Sequence, residues 1–337
     1  MSEGTATGAA LRADGDVSRP DLRVAFVVDI FPLVSETFII DQIADLDDRG
    51  VRVDIYSLTR GDEAFVSKRY FDHDMGSRVR YLDYPLPWLR RAGAALPKAG
   101  RLALRHPRTL LRALDVRRYG KDALALRLLH WAEPIAGRDY DVVHCHFATV
   151  AREFVSVREV AGITGELVTT FYGVDASKIF VDRPPDYYDR LKGACSVYFV
   201  MSEDMKRRVV AHGFPAEQVR VHPVSVEVDQ YPFAVREVQP GEELRFVSVG
   251  RFVEKKGFDD LLRALSIVKE RASRPVSCSI VGGGPLQEEL FELEAALALD
   301  GIVRFEGYLS IERLIDHLAD KHVLVQPSKT ASNGDME

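Results

Sequence analysis

Cysteine is scarce in this chain. Its three cysteines, Cys145, Cys195 and Cys278, are far apart and odd in number. That argues against a disulfide framework and fits a reducing cytoplasm. No apolar run approaches the length of a membrane span. The first twenty residues are small and polar and have no apolar core, so 1–20 reads as a disordered tail and not as a signal peptide. Aromatic interleaving of basic residues is missing, and no nucleic-acid-binding module is recognisable, which excludes nucleic acid as a partner.

A chain of 337 residues with ordinary apolar and charged content makes two domains. The net charge of −6 hides an asymmetry. Residues 90–121 hold ten Lys or Arg and one acid, Asp115, for a net +9, so the remainder carries −15. Arg101, Arg105, Arg108 and Arg112 recur at roughly helical spacing, with Leu102, Leu104, Leu110 and Leu111 on an apolar side, and Pro107 kinks this helix or starts a new one. The segment reads as contact with an anionic membrane surface or as a long basic face on a core helix.

Continuous apolar strands recur between helical patterns, as in a doubly wound α/β fold. Leu22–Ile30 is the first, and the period of Ile39, Ile40, Ile43 and Leu46 follows, closed by Arg49-Gly50. Ser35, Glu36 and Thr37 sit where that helix begins, with a small hydroxyl residue available as N-cap. Asp139–Phe147 is a further strand, ending in His144, Cys145 and His146. Alternation of side chains along a strand leaves too few ligands on one face for a metal, so none is expected there. Leu167–Asp175 is the next strand and loop, in which Asp175 is either a functional carboxylate or an Asx turn. The Pro- and Glu-rich stretch near Pro232–Glu243 reads as a linker. The boundaries are then 21–230, a linker at 231–243, and a second domain at 244–337.

The second domain opens on FVSVGRFVEKKG, Phe246–Gly257. A short strand ends at Gly250, Arg251 and Lys256 follow five residues apart, and Gly257 leads into a helix. The carboxyl end of a strand before a helix is where open α/β sheets bind ligands. An Arg fork and a Lys point charge suit a pyrophosphate there, and they equally suit a solvated basic loop. Gly282-Gly283-Gly284-Pro285 precedes a second helix, where backbone N–H groups can approach an anion or the glycines merely reverse the chain.

GRFVEKKG followed by FDDLLRAL resembles the donor-site signature GR-x-x-x-x-KG of retaining GT-B glycosyltransferases of glycosyltransferase family four. The resemblance runs from about Leu22 to the last residue and is closest to the subgroup that builds exopolysaccharides such as colanic acid. It implies two Rossmann-like domains facing across a cleft, the second incomplete. Arg251 and Lys256 would neutralise a nucleotide-sugar diphosphate, assisted by Gly283 and Gly284, and Gly307 and Tyr308 would neighbour the base. FP-x-x-SETF resembles the family's first loop, which makes Ser35 and Glu36 candidates for lining the cleft. His146 matches the second His of D-x-(I/V)-H-x-HF, at the acceptor side of the cleft. In T-x-HG-x-D this chain has Tyr172 in place of the His, while Gly173 and Asp175 match; Tyr172 and Asp175 are expected beside the reacting sugar, and Gly173 beside the substrate. Ser225 and Glu227 fall in the loop before the linker. Asn333–Glu337 resembles the start of E-x₇-E, so Glu337 would meet the donor sugar, and the rest of the element is expected beyond a truncated end. The implied reaction moves a sugar with retention from a nucleotide sugar to a glycan or lipid-linked acceptor, without a metal. A sugar-nucleotide 2-epimerase on the same fold, or a nucleotide-sugar-binding or membrane-scaffold protein, is the alternative.

Overall fold

The structure is a computed structural model that describes residues 22–85, 87–226 and 228–336. The expected tail, Glu227 and Glu337 lie outside the described residues.

The first sheet has seven parallel strands: β1 (Val24–Phe31), β2 (Val53–Arg60), β3 (Val79–Tyr81), β4 (Val142–His146), β5 (Glu166–Phe171), β6 (Val197–Val200) and β7 (Val219–Val221). Their order is β3-β2-β1-β4-β5-β6-β7. The sheet is covered on both faces, which is why β1 reads as an unbroken apolar run. Ala25 and Val27 join one core with Tyr56, Val143 and Cys145, while Val24, Phe26 and Val28 join the opposite core with Ile39, Ile40 and Ile43. Chain order reverses between β1 and β4, so a crevice opens beyond Phe31 and His146.

The second sheet contains β8 (Leu244–Val249), β9 (Val276–Val281), β10 (Val303–Gly307) and β11 (Val323–Leu324), all parallel, in the order β10-β9-β8-β11. Its switch point lies between β8 and β11, so Arg251 leaves the sheet at that crevice. A separate core of Phe252, Phe258, Leu262 and Ile280 holds this domain together. Between Gln230 and Leu244 the chain forms neither helix nor strand.

Two local features differ from the sequence reading, and one choice it left open is decided. The helix Thr37–Asp48 starts after Glu36, and no side chain caps it; the hydroxyl cap expected at Ser35 or Thr37 is not used. Pro107 starts a new helix, Pro107–Ala113, after the Trp88–Arg105 helix ends, because its missing N–H costs nothing at a first helical position. The helix Ala148–Ala161 follows β4 directly and carries no cap residue at its start that would announce it.

Candidate functional site

The loop after β8 and the glycine turn after β9 are fastened to each other. Phe252 N–H donates to the Gly283 carbonyl at 2.9 Å, and Leu286 N–H donates to the Phe252 carbonyl at 3.1 Å. The buried Phe252 ring packs on Phe258 at 5.1 Å and Phe305 at 5.8 Å. Gly282 has φ +134, and a Cβ there would stand 2.0 Å from the Gly250 carbonyl oxygen, so only glycine lets the two loops meet. A Cβ on Gly250 would stand 3.3 Å from Lys256 Cδ and Cε, so the lysine stem lies against Gly250, the residue before Arg251. Arg251 is exposed and makes no side-chain hydrogen bond or ion pair among the described residues.

Between the two domains a pocket of about 190 Å³ is lined by Ser35, Thr37, Gly250, Arg251, Gly282 and Tyr308. The domains touch at its edge, where Phe65 and Tyr308 rings lie 6.2 Å apart and Lys68 N–H donates to Glu312 Oε1 at 2.7 Å. Tyr308 is tied down by donating its hydroxyl to the Gly283 carbonyl at 2.9 Å. Gly307 has φ +72 and open space around it. Glu36 is half-buried on the first-domain side. Burial raises its carboxyl pKa to about 7, helped by the charge of Asp29 and opposed by that of Arg251. Ser35, Gly250, Arg251 and Tyr308 thus line one pocket, Glu36 is near enough to feel the charge of Arg251, and Gly283 is bonded to Tyr308.

The residues around Tyr172 behave otherwise. Its hydroxyl lies 2.8 Å from His146 Nδ1, and His146 is fully buried. The phenol oxygen therefore points into the domain, and the ring rests on Phe38 at 4.6 Å and Phe147 at 4.9 Å. This corrects two expectations: His146 does not line the cleft, and the Tyr172 hydroxyl is not presented to it. Burial, with neighbouring His144, holds the His146 pKa well below its usual value. His144 shares that face of β4, its ring stacked on His146 at 4.2 Å, and its Nε2 meets Thr170 Oγ1 at 2.7 Å. The pair is a buried polar layer beneath the cleft, and among the described residues no third ligand completes a metal set.

Asp175 is corrected in the same sense. It is fully buried and its carboxylate accepts from Ala148 N–H at 2.9 Å and from Tyr172 and Gly173 N–H at 3.0 Å each. Its oxygens cap the Ala148–Ala161 helix and close the 172–175 turn, which leaves it as a positioning group. Gly173 is half-buried, and the Met336 carbonyl lies 3.9 Å from where its Cβ would be. The same end segment reaches Ser177, which lies 3.5 Å from Asp335 Oδ1, and Lys255 holds Asp335 at 3.1 Å.

Sequence reading missed Asp29 and Phe147. The only signal for Asp29 was a charge inside an otherwise apolar strand. Phe147 has φ +73, a strained setting for an aromatic residue, and sequence gives no hint of it. The basic segment is also less free than its charge suggests. Arg101 pairs with Glu133 at 2.6 Å, Arg118 pairs with Glu159 at 3.0 Å, and Arg91, Lys98 and Arg112 bond to backbone carbonyls. Arg90, Arg105, Arg108, Arg117 and Lys121 make no such bond among the described residues.

Two parallel Rossmann-like sheets with a pocket between them make the GT-B arrangement, and the family profiles assign it to glycosyl transfer. The Glycosyltransferase Family 4 profile matches residues 35–230 and the Glycosyl transferases group 1 profile matches residues 233–334. The chain belongs to glycosyltransferase family 4. It is 29% identical over 322 residues to WcaL of Escherichia coli K12, a glycosyltransferase named for colanic acid biosynthesis, covering 94% of this chain and 78% of WcaL. It is 28% identical over 328 residues to the amylovoran biosynthesis glycosyltransferase AmsK of Erwinia amylovora, with the same coverage of 94% and 78%. The fold resembles HepE of Anabaena, solved with UDP, at a TM-score of 0.61 and 14% identity over 92% of this chain and 75% of HepE.

Proposed function

We propose that this glycosyltransferase takes its sugar from a nucleoside-diphosphate sugar and passes it, with retention, to a glycan or lipid-linked acceptor in polysaccharide assembly. The observation that carries the reading is Arg251 at the β8 exit, exposed and unpaired among the described residues, with the Lys256 stem packed against neighbouring Gly250. The polysaccharide roles named for WcaL and AmsK support the pathway class, and the UDP bound by HepE supports the donor class. Family membership favours transfer over 2-epimerisation or a purely binding role.

In this reaction the bond from the anomeric carbon to the β-phosphate oxygen breaks. The acceptor oxygen bonds to the same face, and its proton leaves with the diphosphate. Arg251, Lys256 and the N–H groups of the Gly283–Gly284 turn offset the charge that develops on the leaving group, so the proposal needs no metal. Acceptor would enter from the Ser35–Glu36 side. The test is a pair of measurements on Arg251→Ala/Lys256→Ala. Affinity for UDP and GDP should fall at least roughly 100-fold, since each charge-assisted contact contributes about 1.5–3 kcal/mol. Unchanged affinity for both nucleotides would overturn the reading. Product anomeric configuration by NMR decides retention.

The reading also places the enzyme peripherally on the cytoplasmic face of a membrane. No helix among the described residues is long and apolar enough to cross one. Leu89, Leu96 and Leu104 are 70%, 75% and 87% exposed on the Trp88–Arg105 helix, beside Arg90 and Arg105, which are unpaired among the described residues, as in a helix lying in an anionic interface. Flotation with liposomes should recover the protein only when anionic lipid is included.

A further inference from the structure

One groove of the first domain lies away from the interdomain pocket. It has a volume of about 680 Å³ and opens between the 117–122 segment, the helix Ala148–Ala161 and the 184–190 segment. Its acids are mostly consumed from within: Arg127 pairs with Asp122 and with Glu153 at 2.6 Å each, and Arg152 also pairs with Glu153. Arg117, Lys121 and Arg190 line it without an acid partner among the described residues, against one unpaired acid, Asp186. Arg190 is held by Ser156 Oγ at 3.4 Å. Neighbouring the groove in the chain are apolar side chains that nothing covers: Leu111 and Leu124 are 72% exposed, Val116 47% and Leu114 44%.

A polar, cation-lined groove whose 117–122 segment is flanked in the chain by bare apolar residues suits an amphiphile that carries negative charge on a compact head. We propose that it receives the phosphate group of a membrane lipid, with the lipid chains lying over Leu111, Leu114, Val116 and Leu124. Arginine forks and a lysine suit phosphate oxygens, and the volume lies in the range of sites that enclose a small ligand. The groove begins at Arg152, about one turn along the helix whose first residue, Ala148, is capped beside Tyr172. A lipid-linked acceptor held there by its phosphate would extend its sugar toward the cleft. The inference rests on the proposed membrane-associated transfer and adds the site that holds the headgroup.

The experiment compares zwitterionic vesicles carrying a polyprenyl pyrophosphate with vesicles carrying oleate at matched surface charge. Three proteins are compared: the parent chain, Arg117→Gln/Lys121→Gln in the groove, and Arg90→Gln/Arg105→Gln outside it. All four substituted residues are exposed and unpaired among the described residues, so both variants should fold, and they remove equal charge. The parent should prefer the pyrophosphate vesicles roughly tenfold. The groove variant should lose that preference, and the control should bind both vesicles more weakly while keeping it. No preference in the parent, or equal loss in both variants, overturns the proposal. Loss of the preference on adding an equal concentration of inorganic pyrophosphate would assign the groove to a soluble anion and also overturns it. A thermal shift with UDP and GDP on the same proteins separates the two readings, because failure of the parent there sinks the donor assignment and leaves the groove untouched.

Discussion

Glu36 and Arg251 belong to different domains, yet the guanidinium acts on the carboxyl across the cleft, holding down a pKa that burial and Asp29 raise to about 7. A diphosphate at Arg251 would cancel that opposing charge and add its own negative charge, so the Glu36 pKa should rise further. Near neutral pH, nucleotide binding should therefore take up a fraction of a proton. Calorimetry in buffers of different ionisation enthalpy measures this, and Glu36→Gln should abolish the uptake. Proton release, or uptake unchanged in the variant, contradicts the arrangement.

The same carboxyl sets a stability trend. Its folded pKa lies above the usual 4.5, so the folded state binds the proton more tightly than the unfolded chain does. That contribution is complete below about pH 4.5 and is lost as pH rises through about 7, at most about 3 kcal/mol. Denaturant titrations across that window should show stability from this site falling with pH, and Glu36→Gln should flatten the fall.

The glycine turn makes a prediction with a built-in control. Gly282→Ala must move either itself or the Gly250 carbonyl, 2.0 Å from the new Cβ, at a strain cost of about 1–3 kcal/mol. Because Gly250 precedes Arg251, nucleotide affinity should fall roughly tenfold. Gly301 also has positive φ, +79, but nothing lies within 4 Å of its Cβ position. Gly301→Ala should lower stability by about 1 kcal/mol and leave nucleotide affinity alone. Equal loss of affinity in both variants would separate the turn from the donor site.

Asp175 should behave as a structural cap. Asp175→Ala leaves three backbone N–H groups, those of Ala148, Tyr172 and Gly173, without their acceptor. The cost should be about 2–4 kcal/mol, or roughly 5–10 °C in thermal midpoint. A variant that keeps its midpoint but loses turnover would restore a direct role for the carboxylate.

The contrast between Arg251 and Asp175 shows what a sequence can carry. The β8 exit is local: a strand, a glycine, two cations and a helix start within twelve residues, and Gly250 and Arg251 line the interdomain pocket. The fold class was equally legible, because both sheets are parallel and their strands read as unbroken apolar runs. Which way a polar side chain faces at a strand end is a tertiary matter. His146 and Asp175 lie next to the cleft in the chain, yet both point beneath it, since the start of the Ala148–Ala161 helix needed an acceptor and Tyr172 turned inward. β3, three residues long with every residue half-buried, offered no pattern, and its place at the sheet edge comes from pairing with β2.

Tyr172 stands where the family pattern has histidine, and its role can be decided by removing one oxygen. Tyr172→Phe keeps the ring on Phe38 and Phe147 but takes from His146 Nδ1 its one partner among the described residues, where Nε2 has none. Leaving both ring nitrogens of a buried imidazole without a partner should cost about 1–3 kcal/mol. Nucleotide affinity should stay within about twofold, because the hydroxyl faces the interior. Tyr172→Ala should cost more, about 3–5 kcal/mol, by opening a cavity beneath the cleft. Urea denaturation and donor titration on the same samples separate the effects. If Tyr172→Phe keeps its stability while donor affinity or turnover collapses, the phenol serves the substrate, and the inward hydrogen bond to His146 is not the contact that matters.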